Sequence, residues 1–215
     1  MSTDNLYLVY GKSFPSERKA GLQYYTNQHN RLARLAEGVQ VDTEVAIGIF
    51  CALSPNNEEN GNYRDVVAVM RAYVNGKKPE DVKVSSYSAN KVKAFRIAAG
   101  ERPLDVLRGP KVVAFYLNTL DPSNRHAVTV DGHMVNCWRG QVAPLKLVAG
   151  GPGRVTPAEH KLIIAGVKEV ASNAGILPCQ MQSTLWLTWK RLHNIKYNSQ
   201  MPLWQTEELE SCRRR

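Results

Sequence analysis

The sequence predicts an all-α fold. Apolar residues recur at helical spacing along most of the chain, glycine, proline and asparagine separate these segments, and β-branched runs are short. Hydrophobic residues make up 43% of the 215 residues, which is enough to build a buried core. No apolar run approaches the ~20 residues that a membrane helix needs. We therefore expect a helical protein without a membrane span.

The predicted helices follow one another with short connections. Val45 to Leu53 is apolar on every side, which is typical of a helix buried all round. Thr156 to Glu159 fits a capping box at the start of a helix. The β-branched run Ala127 to Val130 ends at Asp131-Gly132, a strong turn signal. The predicted segments are 16–37, 45–53, a helix capped by Asn62, a helix capped by Ser88, 104–107, 111–120, a helix after Thr156, and 182–193.

We expect the whole chain, 1–215, to form a single functional unit built from two helical lobes. One lobe would hold the middle of the chain, 45–125, with a tight bend between two helices at 104–120. The other would combine both ends, 1–44 and 126–215. The glycine-rich stretch 150–153 lacks the lysine and hydroxyl ending of a nucleotide-binding loop, so it is interpreted as a connector.

The charge balance favours polyanionic partners. Lys and Arg number 28 against 19 Asp and Glu, a formal net charge of +9, and a basic protein attracts nucleic acid at long range. The same balance fits a basic protein that binds no nucleic acid, and Arg213 to Arg215 can be a solvated end.

The cysteines and the N-terminus indicate a reducing location. The four cysteines form no CxxC pair, so the sequence lacks the usual spacing of a zinc or iron–sulfur site, and we expect no cofactor. The N-terminus has no basic start followed by an apolar run, so it does not resemble a secretory signal. The cytoplasm is the expected location, and a monomer the expected state.

Residues 104–135 contain the most informative pattern. A short helix meets the turn Gly109-Pro110, and Lys111 opens the next helix, which is largely apolar. The amide N–H groups at such a helix start can hold a phosphate. After a loop, the β-branched run leads to Asp131 and then His133. A lysine, a carboxylate and an imidazole thus follow one another in order.

This order resembles the helix-hairpin-helix/Gly-Pro-Asp superfamily of DNA glycosylases, and endonuclease III in particular. That family has the hairpin LPGVG, a helix KTANVVLN and then VDTH. The matching pieces here are Lys111-Val-Val-Ala-Phe-Tyr-Leu-Asn118 and Val130-Asp-Gly-His133. Upstream, Phe50-Cys-Ala-Leu-Ser54 resembles LLSAQ, and Ser88-Ala-Asn-Lys-Val-Lys-Ala94 resembles NSKAENI. The similarity spans about residues 45 to 137.

The resemblance implies an enzyme that binds double-stranded DNA, flips a base out of the stack and acts on it. Asp131 corresponds to the carboxylate that stabilises the sugar cation, and Lys111 to the amine that attacks the sugar C1′ in bifunctional members. Asn56 and Asn57 correspond to the region that fills the hole left by the base. The candidate substrate- and DNA-binding residues are Asn56, Asn57, Arg108, Gly109, Lys91, His133 and Gln182.

Departures from the family pattern leave other functions open. Leu107-Arg-Gly-Pro110 has one glycine where the hairpin has two, and Gly132 replaces the threonine of VDTH. The pattern Ala52-Leu-Ser-Pro-Asn-Asn57, followed by Lys93-Ala94 and Gly109-Pro-Lys111, is similar to a divergent branch from bacterial viruses that hypermodify thymine, and so is the Gln182 helix with its two tryptophans. The members of that branch are assigned to replacing the pyrophosphate on 5-hydroxymethyluracil with an amine or amino acid. A DNA-binding module without catalysis is a third hypothesis.

Each of these residues also has an ordinary structural interpretation. Lys111 can be a solvated lysine at a helix start, and Asp131 a turn former. His133 with one aspartate is a poor metal site, and a histidine bonded to the backbone is the alternative. Trp186 and Trp189 have the helical spacing of core residues. The flanking basic residues, Lys91, Lys93, Arg96, Arg108 and Lys111, can grip phosphates or form a solvated face.

Overall fold

The computed structural model describes residues 3–55, 57–145 and 153–195, and confirms the all-α prediction there. These ranges contain ten α-helices, a 3-10 turn at Pro79–Asp81 and no strand. The helices are α1 (Thr3–Gly11), α2 (Pro15–Glu37), α3 (Thr43–Leu53), α4 (Glu59–Val74), α5 (Ser88–Ala98), α6 (Pro103–Val106), α7 (Pro110–Leu120), α8 (Gly132–Arg139), α9 (Pro157–Ala174) and α10 (Pro178–Leu192).

Several local features differ from the sequence prediction. Helices α1 and α8 were not predicted. Helix α4 begins at Glu59 rather than at a cap on Asn62. The Asn62 side chain is buried instead, and its amide donates to the carbonyl of Phe50 at 3.0 Å. Asparagine often caps a helix, but here tertiary packing buries the Asn62 side chain and directs it to another helix.

The described residues fall into two compact units. The composite unit joins the residues up to Tyr24 with those from Val130 onward, and the central unit runs from Tyr25 to Thr129. The first boundary between the units falls within α2. The boundary expected from the sequence lies later in the chain, at residue 45. Each unit has buried apolar residues of its own.

The core of the central unit is built around α3. Residues 46–53 are all buried, as the apolar run predicts. Helix α3 packs against α4, α5, α6 and α7, and the Phe50 ring lies 4.8 Å from the Tyr63 ring and 5.9 Å from the Phe115 ring. Burying each large apolar side chain stabilises the fold by about 1.5–3 kcal/mol. A Cβ on Gly48 would lie 2.8 Å from the Pro103 ring, so this glycine lets α6 approach α3.

The composite unit packs α1, α8, α9 and α10 together. Helix α10 is buried over most of its surface, including Leu185, Leu187 and Trp189. Gly166 of α9 faces the Trp138 ring, and an added Cβ would come within 2.6 Å of that ring. The small residue therefore sets how closely α9 can pack on α8.

A buried carboxylate links the start of α2 to the end of α10. Glu17 is inaccessible to solvent and pairs with Arg191, whose Nε lies 2.7 Å from Oε1. Its Oε2 also accepts from the Phe14 N–H at 2.8 Å and from the Thr188 hydroxyl at 3.2 Å. The Arg191 guanidinium lies over the Phe14 ring, 3.9 Å from its centroid. A buried charge needs such compensation, and here both oxygens receive it.

A second ion pair links α8 to α9. Arg139 pairs with Glu159 at 2.6 Å, and both side chains are largely buried, with exposed fractions of 11% and 15%. Arg139 also donates to the Gly153 carbonyl at 2.7 Å. The Thr156 hydroxyl caps α9 by accepting from the Glu159 N–H at 3.1 Å, as the sequence predicts. The Arg139 guanidinium lowers the pKa of the Glu159 carboxyl below its ordinary value.

This ion pair predicts a stability change in acid. The lowered pKa means that the folded protein favours ionised Glu159, so its contribution is complete above the unfolded pKa of about 4.3 and is lost as the pH falls through the folded value. In urea unfolding, Glu159→Gln should cost about 1–3 kcal/mol at pH 7 and much less at pH 3. A difference between the two proteins that stays constant from pH 7 to pH 3 would contradict this assignment.

The cysteines of the described segments are buried in the helical cores. Cys51, Cys137 and Cys179 form no disulfide. Burial raises the pKa of the Cys51 and Cys137 thiols, so both stay protonated and unreactive near neutral pH.

Within the part of the chain that the structure describes, no single helix has the length and apolar character needed to cross a membrane. Helices α9 and α10 reach that threshold only as a pair, and the pair is bent by 100°.

Candidate functional site

Asp131 is the N-cap of α8 and lies in the composite unit. Its backbone is extended, with φ −99° and ψ −179°, and its Oδ1 accepts from the Met134 N–H at 2.9 Å. Aspartate is among the best N-cap residues, and its charge is favourable at the positive end of a helix. Gly140, in the left-handed conformation, ends the helix after two turns. The Asp131-Gly132 pair thus starts a helix.

The second carboxylate oxygen of Asp131 is bound from α10. The indole Nε1–H of Trp186 donates to Asp131 Oδ2 at 3.0 Å. One oxygen is therefore held by the backbone of α8 and the other by a side chain distant in sequence. The residue is half-buried, so its carboxylate keeps some access to solvent. A charge held in this way is suited to stabilising a positive charge that develops on a substrate.

Aromatic and cationic groups surround the Trp186 ring. Lys190 Nζ lies 4.3 Å from the ring centroid, the Tyr24 ring is at 6.2 Å, and the His133 ring approaches edge-on at 6.3 Å. The structure therefore brings together Asp131 and His133, two of the residues that the sequence singles out, around a tryptophan that the sequence analysis assigned to the core.

Gln182, another candidate DNA contact, lies on α10 and is buried, with 5% of its surface exposed. Its proposed contact with DNA stays a prediction. The Cys137 thiol is also close enough to sense the charge of Asp131, which adds to burial in raising its pKa. This thiol is therefore not a candidate nucleophile.

The central unit contains the tight turn between α6 and α7. Gly109 has φ +86°, a conformation that glycine adopts without strain, and Pro110 occupies the first helical position. The N-cap residue of α7, Gly109, has no side chain that could accept from the first N–H groups of the helix. Lys111 is exposed. The turn thus presents backbone donors and a cation together, which suits an anion.

The remaining predicted DNA contacts in the central unit have partners within it. Arg108 donates to the carbonyls of Leu104 and Leu107, at 3.1 and 3.0 Å, so its guanidinium covers the end of α6. Lys91 Nζ donates to the Val82 carbonyl at 2.8 Å. These contacts orient both cations.

Asn57 lies in the loop before α4. Its amide donates at 2.9 Å to the buried carboxylate of Asp65, which also accepts from the Ser85 N–H at 2.8 Å. The contact fixes the loop, and the role of Asn57 in filling the base stack stays a prediction. Asn56 lies outside the described residues.

A basic depression of about 290 Å³ lies at the end of α4. Apolar side chains line it together with three cations, Arg71, Lys77 and Lys83, and the carboxylate of Asp81. No carboxylate among residues 3–55, 57–145 and 153–195 forms an ion pair with these three cations. By contrast, Arg96 is paired with Glu101 and Arg102 with Asp105. The depression is thus a local source of positive potential.

The described segments contain no group of three or more His, Cys, Asp or Glu side chains that could hold a metal ion.

Sequence reasoning missed Trp186 as the partner of Asp131. The spacing of Trp186 and Trp189 indicates an apolar helix face, and both lie on α10. The spacing of the two tryptophans along the chain does not reveal which acceptor an indole N–H meets. That acceptor depends on which helix packs against α10. The available signal was the preference of a partly buried indole N–H for an acceptor.

Comparison with known proteins gives a family match. No curated protein and no solved structure matches the chain. One family model matches residues 1–193, nearly all of the described chain. The chain therefore belongs to the family described as "Family of unknown function (DUF7178)".

Proposed function

We propose that this protein is a DNA base-acting enzyme with the two-lobed fold of the helix-hairpin-helix glycosylases. It binds double-stranded DNA, flips a base and acts at it through Asp131 and Lys111. The observation that carries the proposal is the Asp131 carboxylate, bonded through Oδ1 to the Met134 N–H and through Oδ2 to the Trp186 indole. A carboxylate with both oxygens bound keeps its orientation while charge develops near it.

The turn between α6 and α7 supports DNA as the partner. It has the short helix, the glycine with positive φ and the uncapped helix start that a phosphate-binding hairpin needs. Lys111 adds a positive charge at that start. Phosphate contacts of this kind position a protein on DNA without reading its sequence, so they fit any target base.

The chemistry follows from these groups. As the base leaves with the electron pair of the glycosidic bond and takes a proton from solvent, C1′ becomes cationic, and the Asp131 carboxylate lowers the energy of that state. Water can then add to C1′ and lose a proton. Alternatively, the Lys111 amine forms a C1′–N bond and loses a proton, the sugar ring opens to an imine, and elimination of the 3′-phosphate breaks the strand. The first route gives a hydrolase and the second a lyase.

A duplex that mimics the sugar cation tests the proposal without knowledge of the base. In the probe, a pyrrolidine ring replaces one deoxyribose, and its protonated nitrogen carries positive charge next to the position of C1′. Asp131→Asn keeps an N-cap residue, so the fold should survive. We expect this variant to lose about 100-fold in affinity for the probe relative to plain duplex.

Asp121→Asn is the matched control. Asp121 is exposed, and its carboxylate also accepts a local backbone bond, from the Ser123 N–H at 2.9 Å. This variant should bind the probe like wild type. Equal affinity of wild type and Asp131→Asn for the probe would remove Asp131 from the reaction.

The products separate the hydrolase and lyase routes from group transfer. Borohydride traps a protein–DNA adduct only if an amine has attacked C1′, so a trap that persists in Lys111→Ala would assign the adduct to another residue. Group transfer releases no base. It changes the nucleoside mass of DNA bearing pyrophosphorylated hydroxymethyluracil when an amine or amino acid is supplied.

A further inference from the structure

We propose that Trp186 is a positioning residue that holds the Asp131 carboxylate in its working orientation. This role rests on the proposed function of Asp131. The Trp186 indole donates to Asp131 Oδ2 at 3.0 Å, while the N-cap bond from Met134 holds Oδ1 at 2.9 Å. The two bonds reach the carboxylate from different helices, α10 and α8.

Both bonds are needed to fix the carboxylate. The terminal torsion of an aspartate side chain has a broad, twofold energy profile, so a cap bond to one oxygen leaves the plane of the group free to turn. A donor on the other oxygen removes this freedom. Hydrogen bonds to a charged acceptor are the stronger ones, so the indole bond adds a strong constraint to the one that the cap bond supplies.

The indole is itself held in place. Lys190, one helical turn after Trp186 on α10, places its ammonium 4.3 Å from the ring centroid, and a cation over an aromatic face is attracted to it. The rings of Tyr24 and His133 lie at 6.2 and 6.3 Å. Turning the indole away from Asp131 would disturb these contacts. The donor is therefore set before a substrate arrives.

The Trp186 side chain is engaged on one ring face and at its N–H. Lys190 lies over one face of its ring, and the indole edge points at Asp131. We infer that Trp186 acts through Asp131. Its replacement should therefore change only those binding or reaction steps that depend on the Asp131 carboxylate.

Trp186→Phe removes the N–H donor and keeps an aromatic ring. Trp189→Phe is the matched control, because Trp189 lies on the same helix, is buried, and has an indole N–H without a hydrogen-bond partner among the described residues. We expect Trp186→Phe to bind the pyrrolidine duplex about 10-fold more weakly. Trp189→Phe should change this affinity less than 2-fold. Neither variant should change binding to plain duplex.

The double variant separates positioning from a structural effect. If Trp186 acts through Asp131, then Asp131→Asn with Trp186→Phe should bind the probe no more weakly than Asp131→Asn alone. Additive losses would overturn the proposal. So would a Trp186→Phe variant that binds like Trp189→Phe while Asp131→Asn loses affinity.

NMR of the indole N–H resonances tests the contact without DNA. Trp186→Phe identifies the Trp186 resonance by its disappearance, and Asp131→Asn should move that resonance upfield, because the charged acceptor is lost. Glu159→Gln should leave it unchanged. A Trp186 resonance that does not respond to Asp131→Asn overturns the proposal. If the resonance responds but the probe is insensitive to Asp131→Asn, the proposed function fails, and the positioning role fails with it.

Discussion

Replacing Glu17 with glutamine should lower the free energy of unfolding by about 3–5 kcal/mol, the largest single effect expected in this protein. Glutamine has nearly the same shape, so the loss comes from charge. The Arg191 guanidinium, with 18% of its side chain exposed, would lose the carboxylate that neutralises it at 2.7 Å. Removing one partner of a buried pair leaves a charge without compensation, which costs more than the pair contributes.

Urea unfolding at pH 7 measures this effect. Glu101→Gln is the control, because Glu101 pairs with Arg96 on the surface, where the two side chains are 45% and 48% exposed. Solvent screens such a pair, so its loss should cost no more than about 1 kcal/mol. A cost for Glu17→Gln as small as that for Glu101→Gln would show that the buried contact is not formed in solution.

Gly21→Ala should destabilise the protein by about 3 kcal/mol, although alanine normally favours a helix. Gly21 lies inside α2, and a Cβ there would come within 2.8 Å of both the Cα and the backbone nitrogen of Thr184 on α10. Backbone atoms cannot move aside as a flexible side chain can. The two helices would have to separate, and the packing around them would be lost.

Gly11→Ala provides the comparison for this prediction. Gly11 ends α1, and an added Cβ would meet nothing within 4 Å. That variant should be neutral or slightly stabilising in thermal unfolding. Thr184→Ala should not rescue Gly21→Ala, because the backbone clash remains. A Gly21→Ala protein that melts at or above the wild-type temperature would contradict the close approach of the helices.

Local sequence signals were sufficient for part of this structure. The apolar run of α3, the Gly109-Pro110 turn before α7 and the Thr156 cap of α9 each depend on residues within a few positions of one another. The structure confirms all three. Such features follow from propensity and capping alone. The assignment of Asp131 and Lys111 to one reaction stays a prediction.

The remaining features depend on residues far apart in the chain. Glu17 and Arg191 lie at opposite ends of the described chain, and Asp131 and Trp186 lie on different helices. No local pattern links them, because the contacts exist only once the helices pack. Helix α8 was missed for a related reason. Gly132 is a poor helix former, and the cap that offsets it is a residue that also favours turns.

The two bonds on the Asp131 carboxylate have a stereochemical consequence under the proposed function. A carboxylate that cannot turn presents the same edge in every turnover. It therefore interacts with only one face of the sugar ring. Water guided by that edge adds from that face, and the abasic product forms first as a single anomer. The two anomers then mix only as the ring of the abasic sugar, still part of the strand, opens and closes.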